Sequence, residues 1–358
     1  MRAYYEDDLL IALKGGKKES VFGGDVLIKA IPDDFRDGVL DPREFDLAKK
    51  TLAERTAMNP TLENLRQQMG FPNINLNTIE IITRVIPLEK DGISFALWSY
   101  APRKPFGKKN RKAVLYVHGG SYIAGSVYAE ENPLKYLVEK ADCVVFNLDY
   151  SLAPEYPFPV ALEQLEMALA YIKEHSDELG IDPNEIYLSG DSAGANIVLG
   201  ECTLHESPCV AGLILFYPAT ALALDSLPFP WRESDYAMDP AYRDFIIPRL
   251  ILGRSDENIG PLAKLISTFY LRHGESLSDL RVSPLFAPAS CFPKTLLFTA
   301  EFDGLRLQGE YFAAKLNKSN VPCKCIRYRG IHHGFLDKFG HFPQAEDAIL
   351  EAAAFLNE

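Results

Sequence analysis

One short stretch of the chain combines a reactive residue type with the spacing that its chemistry needs. Residues 186–196 read IYLSGDSAGAN, in which Ser192 has Gly190 and Gly194 two positions away on either side. The apolar residues before Gly190 predict a buried strand, and the small residues after Ser192 predict a helix. A serine on a sharp strand-to-helix turn has a strained backbone, so its neighbours must be small. The pattern alone also occurs by chance in glycine-containing loops, but this context predicts a nucleophilic serine.

A nucleophilic serine needs a base, and the base needs an acid that orients it. Two later strand ends supply candidates: residues 300–304 read AEFDG, and residues 329–335 read RGIHHGF. Because both loops follow strands of the same predicted sheet, they should lie at the edge that carries Ser192. The acid then comes from the first loop and the base from the second, where two histidines are adjacent. A surface role is the default for four other histidines, which fall elsewhere: His175, His205, His273 and His341.

Backbone amides that stabilise an oxyanion are the remaining part of this chemistry. Residues 118–122 read HGGSY and follow an apolar run that predicts a strand. Such a loop offers free amides, and a further amide comes from Ala193, directly after the serine. His118 precedes the other groups in the chain, an order that does not suit the base. A structural role that braces the loop is therefore the better interpretation of His118.

Strands and helices alternate around these motifs. The strands are predicted at 113–117, 143–148, 186–190, 210–216, 295–300 and 323–328, and the helices near 133–140, 160–175, 305–317 and 342–356. A hairpin is predicted before them, with strands at 78–87 and 93–100. This order predicts an α/β fold with a mostly parallel sheet and helices on both faces.

Two segments break the alternation. Residues 220–280 are rich in Pro, Asp, Tyr and Arg and contain no clear strand, which indicates an insertion over the carboxyl ends of the strands. Helices predicted from Asp41 and Thr61 precede the first predicted strand. We therefore predict that residues 1–75 contribute to a helical cap together with the insertion, and that residues 76–358 form the catalytic domain.

Composition and charge exclude several classes of partner. The chain has 358 residues, of which 47% are hydrophobic and 24% charged, as in ordinary globular proteins. Its formal net charge of −12 argues against nucleic acid and against an anionic membrane surface. The first residues are acidic where a signal peptide needs basic ones, and the most apolar stretch, 210–224, is too short to span a bilayer. We expect a cytoplasmic protein, and the sequence leaves both a monomer and a homodimer open.

The spacing of the cysteines and basic residues does not predict a metal site or an anion site. The six cysteines have no framework spacing, which predicts reduced, mostly buried thiols. Cys323 and Cys325 should face the same side of a strand, so core packing is favoured over a zinc half-site. The basic residues of 103–112 are interpreted as a solvated connection. We therefore expect neither a metal nor a cofactor.

Taken together, these motifs resemble the hormone-sensitive-lipase-like family of α/β-hydrolases, which includes microbial esterases and arylacetamide deacetylase. The resemblance runs roughly from Asp41 to the C-terminus. It rests on HGGSY at 118–122, DYSLAPEYPFP at 149–159, GDSAGAN at 190–196, YP at 217–218, SPL at 283–285, EFD at 301–303 and HGF at 333–335. It implies the following site residues: Ser192 as nucleophile, Asp303 as acid, His333 as base, and the amides of Gly120, Ser121 and Ala193 as the oxyanion hole.

This resemblance also implies an activity. It predicts a serine carboxylesterase that hydrolyses small, short-chain acyl esters through an acyl-enzyme. An amidase or N-deacetylase acting through the same groups is the first alternative. The second is a non-catalytic small-molecule receptor, like the plant gibberellin receptor of this fold, which has lost the catalytic histidine. This chain has a histidine at position 333, which favours the enzyme over the receptor. One departure from the family pattern is Ser121, which stands where the family usually has a third glycine.

Overall fold

A ten-stranded sheet lies at the centre of the computed structural model, which describes residues 1–55, 61–103, 110–253 and 261–358. Most of the predicted basic connection at 103–112 lies outside these ranges. The strands are β1 (Lys17–Val21), β2 (Gly24–Lys29), β3 (Ile81–Lys90), β4 (Ile93–Pro102), β5 (Arg111–Val117), β6 (Val144–Asp149), β7 (Ile181–Asp191), β8 (Gly212–Phe216), β9 (Thr295–Phe302) and β10 (Cys323–His332). Their order across the sheet is β1-β2-β10-β9-β8-β7-β5-β6-β4-β3.

The sheet is mostly parallel, as the alternation predicted. Strands β2, β10, β9, β8, β7, β5 and β6 are paired in parallel. Strand β4 is antiparallel to β6, and the hairpin partners β3 and β1 are antiparallel to β4 and β2. The carboxyl ends of β5, β7, β9 and β10 therefore meet at one edge, where the predicted site residues begin.

Helices cover both faces of this sheet. The helices are α1 (Asp7–Ala12), α2 (Pro42–Arg55), α3 (Leu62–Gln68), α4 (Glu131–Ala141), α5 (Val160–Glu174), α6 (Ser176–Leu179), α7 (Ser192–Cys202), α8 (Arg243–Ile246), α9 (Pro261–Phe269), α10 (Arg306–Lys318) and α11 (Pro343–Asn357). On one face α5, α7 and α10 pack on residues such as Leu115, and on the other α4 and α11 pack on Val114 and Tyr116. Successive residues of β5 thus point into two separate cores.

The N-terminal segment differs from its prediction. Residues 17–29 belong to the sheet, since Val26 of β2 pairs with Cys325 of β10. Lys29 is buried and forms ion pairs with Asp347 and, at 2.7 Å, with Glu351, both on α11. Within residues 1–75, which were predicted to contribute to the cap, β1 and β2 therefore belong to the sheet. These strands cover the edge of β10, and β1 becomes the edge strand of the sheet.

The segment between β8 and β9 contains no strand among its described residues, as predicted for the insertion. Besides α8 and α9 it forms short 3₁₀ helices at Leu224–Ser226, Glu233–Asp235, Pro240–Tyr242, Ile247–Gly253, Pro284–Phe286 and Ala289–Cys291, and another lies at Phe335–Lys338. The ring of Phe45 in α2 packs on Phe245 in α8, with ring centroids 5.0 Å apart. The helix predicted from Asp41 thus packs against the insertion. Within the described ranges, no helix has the length and apolar character needed to cross a membrane.

Candidate active site

Ser192 stands at the junction between a strand and a helix. Strand β7 ends at Asp191, α7 begins at Ser192, and the φ angle of Ser192 is +52°, in the left-handed region. A Cβ atom on Gly190 would lie 2.8 Å from the carbonyl oxygen of Val117, and one on Gly194 would lie only 2.0 Å from the same oxygen. The turn therefore accepts only glycine at both positions, which explains the spacing seen in the sequence.

A chain of hydrogen bonds runs from Ser192 to a buried carboxylate. The Ser192 Oγ atom lies 2.7 Å from Nε2 of His333, and Nδ1 of His333 lies 2.8 Å from Oδ2 of Asp303. With a neutral imidazole, the serine hydroxyl donates to Nε2 and Nδ1–H donates to Asp303. Burial alone would lower the pKa of His333, but the charge and hydrogen bond of Asp303 outweigh it and raise that pKa above its ordinary value. The arrangement can move a proton away from the serine hydroxyl.

Loop contacts hold Asp303 in place. Its Oδ1 atom accepts a hydrogen bond of 2.8 Å from the amide of Leu305, and its side chain is fully buried. The hydroxyl of Tyr236, from the insertion, donates to the carbonyl oxygen of Asp303 over 3.1 Å. The alternative acid, Glu301, instead accepts a hydrogen bond from the amide of Gly330. The structure therefore brings Asp303, and not Glu301, to the histidine.

The two adjacent histidines have different surroundings. His332 is buried, and its Nδ1 atom lies 2.7 Å from Oε1 of Glu44 in α2. His333 alone meets the serine, and its ring packs edge-to-face on Tyr217 with centroids 4.8 Å apart. His332 thus ties the loop to α2.

The loop after β5 curls back on itself and leaves amides free. The carbonyl oxygen of Gly120 accepts hydrogen bonds from the amides of Ile123 and Ala124, at 3.2 and 2.9 Å. Gly120 and Ser121 have φ angles of +116° and +56°, and within the described chain their own amides donate no hydrogen bond. Ala193 is the second residue of α7, where helix amides have no intrahelical acceptor. The amides of Gly120, Ser121 and Ala193 are thus left free to donate to a ligand.

His118 has the surroundings of a structural residue. It is buried, its Nδ1 atom lies 2.7 Å from the carbonyl oxygen of Gly119, and its ring stacks on Tyr150 with centroids 4.4 Å apart. Burial lowers the pKa of His118 to about 4. A neutral imidazole with these contacts braces the loop.

Sequence reasoning missed the buried carboxyl groups near this site. Asp191 accepts hydrogen bonds from the hydroxyl of Tyr116 at 2.8 Å and from the amide of Gly119 at 2.6 Å, and burial raises its pKa to about 6. Glu130 is also buried, and burial raises its pKa well above the ordinary carboxyl value. Asp191 could have been found because it lies inside the GDSAG motif. Glu130 gave no comparable signal.

A cavity of about 360 Å³ opens next to Ser192. Its lining is mainly apolar and comes from the loop after β5 and from both the first and the later residues of the insertion; it includes Ser121, Tyr122, Ala221, Leu222, Ile266 and Leu277. The ring of Tyr122 stacks on that of Tyr270 in the insertion, with centroids 3.8 Å apart. The insertion therefore forms one wall of the space in which a substrate would lie.

The six cysteines are free thiols, as predicted, and Cys323 and Cys325 are both buried in the core. They lie on β10, two residues apart and on the same face of the strand. Core packing accounts for this pair.

Comparison with known proteins places these elements in context. Residues 114–337 match the family described as the alpha/beta hydrolase fold. An arylesterase of Saccharolobus solfataricus is 30% identical over 257 residues, which are 71% of this chain and 77% of that protein. An acetyl esterase of Salmonella paratyphi B is 25% identical over 295 residues, 80% of this chain and 82% of that protein. The family match includes the segments that carry Ser192, Asp303 and His333.

Solved structures of esterases have the same fold. A thermophilic carboxylesterase from a metagenomic library superposes with a TM-score of 0.68 at 28% identity, over 83% of this chain and 97% of that one. A hyperthermophilic esterase from the archaeon Pyrobaculum calidifontis superposes with a TM-score of 0.72 at 25% identity, over 89% of this chain and 98% of that one. The resemblance thus extends well beyond the motifs.

Proposed function

Because this chain belongs to the hormone-sensitive-lipase-like family of α/β-hydrolases and is a carboxylic ester hydrolase, we propose that it cleaves short-chain acyl esters by serine catalysis. The observation that carries the proposal is the continuous hydrogen bonding from Ser192 through His333 to Asp303, at 2.7 and 2.8 Å. A receptor needs no such proton path. The names of relatives as an arylesterase and an acetyl esterase support small esters as the substrate class.

The reaction follows from this geometry in two halves. The Ser192 oxygen attacks the ester carbonyl carbon while Nε2 of His333 takes the hydroxyl proton. The carbonyl oxygen becomes an oxyanion, which accepts hydrogen bonds from the amides of Gly120, Ser121 and Ala193. The imidazolium then gives its proton to the leaving alkoxide, so that an alcohol departs and an acyl-enzyme remains.

Water resolves the acyl-enzyme by the same route. His333 takes a proton from the water as its oxygen attacks the acyl carbon, and it returns that proton to the Ser192 oxygen as the ester bond breaks. The products are a carboxylic acid and the free enzyme. Asp303 keeps the proton of His333 on Nδ1 and stabilises the imidazolium by its charge, without itself taking up a proton.

The proposal is tested with the nucleophile and a covalent probe. Ser192→Ala should lower kcat/KM for p-nitrophenyl acetate by roughly 10⁴-fold or more, because it removes the attacking atom. A fluorophosphonate should add one phosphonyl group to the wild type and none to Ser192→Ala, as read by intact mass. Ser226→Ala, an exposed serine that also lines the cavity, is the matched control and should keep both properties. Substantial turnover by a folded Ser192→Ala variant would contradict the mechanism.

The same assay separates the two bond types and the two histidines. An aryl acetamide run beside the aryl acetate should be cleaved far more slowly, and a faster amide reaction would favour the amidase alternative. His333→Ala should lose almost all activity, whereas His332→Ala should keep most of it. If His332→Ala is the inactive variant, the assignment of the base is wrong.

We also propose a division of the chain in which α2, α3 and residues 220–280 form the cap over the catalytic domain. Three contacts support it: Phe45 on Phe245, Tyr270 on Tyr122, and Tyr236 on the carbonyl of Asp303. The net charge of −12 supports a small-molecule ester as the partner in preference to nucleic acid. The cytoplasmic location stays a prediction, and a monomer and a homodimer both stay open.

A further inference from the structure

Three different donor side chains converge at the C-terminal end of α7. They belong to Glu201, His205 and Cys209, and one donor atom from each lies within 4.8 Å of the others. The Nε2 atom of His205 is 3.2 Å from Oε1 of Glu201. Glu201 follows Ser192 by nine residues in the same helix, so a rise of ~1.5 Å per residue separates the cluster from the nucleophile by roughly 13 Å. The cluster is therefore distinct from the candidate active site.

The second oxygen of Glu201 is an unpartnered buried acceptor. Glu201 is only 1% exposed, and its Oε2 atom is buried without a hydrogen-bond partner within the described chain. Burying a carboxylate oxygen without a partner is unfavourable, and natural structures rarely leave one in that state. A cation held between Glu201 and its neighbours would satisfy this oxygen.

The backbone holds the three side chains together before any ion binds. After α7 the chain continues in tight turns, with the amide of Leu204 donating to Glu201 and that of His205 donating to Cys202, at 3.1 and 3.3 Å. On the other side, Nζ of Lys173 donates to the carbonyl oxygen of Cys209 over 2.9 Å. The negative end of the α7 dipole also favours a cation here.

Although the sequence predicted no metal, we propose that Glu201, His205 and Cys209 bind a zinc ion. Carboxylate, imidazole and thiolate are the donors that Zn²⁺ takes in proteins, and a carboxylate with a thiolate balances its charge. The thiol of Cys209 loses its proton to solvent when the metal binds. The His205 side chain is 38% exposed and Cys209 is half-buried, so the ion can enter from solvent and keep water as a fourth ligand. The ion would join the end of α7 to the segment that leads into β8.

Cobalt and zinc titrations of the full chain test this site. After removal of bound metal with a chelator, Co²⁺ should bind with a stoichiometry of one and produce a thiolate-to-cobalt charge-transfer band. Zn²⁺ should displace it and abolish the band. Cys209→Ser should lack the band, and Glu201→Gln and His205→Ala should weaken Zn²⁺ binding by at least about tenfold. His273→Ala, which removes an exposed histidine elsewhere, is the control and should bind like the wild type.

Thermal unfolding gives a second measurement that does not depend on hydrolysis. Zn²⁺ should raise the Tm of the wild type and of His273→Ala, and at the same Zn²⁺ concentration it should raise the Tm of His205→Ala by clearly less, because the stabilisation by a ligand falls as its affinity for the folded protein falls. His205 is partly exposed, so its replacement tests the site without emptying the core. The proposal fails if the wild type shows no saturable binding of one ion, or if Cys209→Ser keeps the charge-transfer band.

Discussion

The carboxylate of Asp191 accepts a hydrogen bond of 2.6 Å from the amide of Gly119 and so joins the nucleophile turn to the loop that carries Gly120 and Ser121. The fit is close, because a Cβ atom on Gly119 would lie 2.3 Å from Oδ2 of Asp191. The hydroxyl of Tyr116 donates to the same carboxylate from β5. Two parts of the proposed machinery, far apart in sequence, are thus held in register by one buried acid.

Asp191→Asn should move the acid limb of the pH profile to lower pH. After Asp303, Asp191 is among the carboxylates whose charge raises the pKa of His333. His333 must be neutral to accept the serine proton, so activity falls as pH drops through its pKa. Removing a negative charge lowers that pKa, and the limb shifts with it. The measurement is kcat/KM for a p-nitrophenyl ester from about pH 5 to 9.

Asp225→Asn is the control for this shift, because it removes an exposed acid at the cavity. Its profile should match that of the wild type. An acid limb for Asp191→Asn that stays in place or moves to higher pH would show that the Asp191 charge does not act on His333.

Glu44→Gln should lower stability while hydrolysis persists. Glu44 and His332 form a buried pair at 2.7 Å between α2 and the His333 loop. Burial pushes the pKa of Glu44 up, but the charge and hydrogen bond of His332 pull it below its ordinary value. Loss of this charged hydrogen bond should reduce the free energy of unfolding at pH 7 by about 1–3 kcal/mol, as measured in urea.

The sign of the pH dependence gives a further check on this pair. Because the pKa of Glu44 is lower in the folded protein than the 4.5 of the unfolded chain, its charge stabilises the fold fully at pH values above 4.5. This stabilisation is lost as the pH falls through the pKa of Glu44 in the folded protein. The difference in the free energy of unfolding between the wild type and Glu44→Gln should therefore become smaller at acid pH. A constant difference from neutral to acid pH would contradict the ion pair.

Local constraints explain why much of the site could be predicted. Gly190 is required by the turn itself, because a Cβ atom there would lie 2.8 Å from the amide nitrogen of Ala195. Gly194 is required by the adjacent end of β5, where the carbonyl oxygen of Val117 lies, yet both glycines stand within the same short motif. The acid and base loops could be ordered because both end parallel strands of one sheet. The resemblance then chose Asp303 over Glu301, and the structure brings the same residue to His333.

Contacts between distant segments could not be predicted in this way. Strand β2 pairs with β10 from the opposite end of the chain, and the buried charge of Lys29 is balanced only by α11. Neither pairing leaves a local pattern. The donors of the proposed zinc site do show one, since Glu201, His205 and Cys209 are spaced by four residues, but Cys209 lies beyond the helix and its approach depends on the fold.

Removal of metal should leave hydrolysis unchanged. The proposed reaction uses a serine, a histidine and backbone amides, and the proposed zinc site lies roughly 13 Å along α7 from Ser192. Exhaustive treatment with a chelator should therefore preserve kcat/KM while lowering the Tm of the metal-loaded chain. A loss of turnover that Zn²⁺ restores would show that metal binding reaches the active site.

Tyr270→Ala should lower kcat more than Tyr270→Phe. The rings of Tyr270 and Tyr122 are nearly parallel, with centroids 3.8 Å apart, so the insertion supports the loop that carries the oxyanion amides. An aromatic pair of this kind contributes about 0.5–1.5 kcal/mol, which corresponds to a loss of up to roughly tenfold if the amides are less well placed. Phenylalanine keeps the stacked ring and should keep the rate. Equal values of kcat for the two variants would show that the stacking of Tyr270 on Tyr122 does not position the oxyanion amides.

Ser121 should limit the length of the acyl chain. Short chains, from acetyl to about hexanoyl, should be preferred, since each methylene that fits an apolar pocket adds only about 0.8 kcal/mol and contributes nothing beyond the pocket wall. Ser121 lines the cavity with its side chain, and its φ of +56° is a conformation that glycine adopts freely. Ser121→Gly should therefore fold and should raise kcat/KM for octanoyl relative to acetyl p-nitrophenyl esters. Leu277→Ala, at the insertion wall of the same cavity, tests the competing explanation. A wild-type maximum at dodecanoyl or longer, or a length preference that follows Leu277 and ignores Ser121, would mean that the insertion sets specificity.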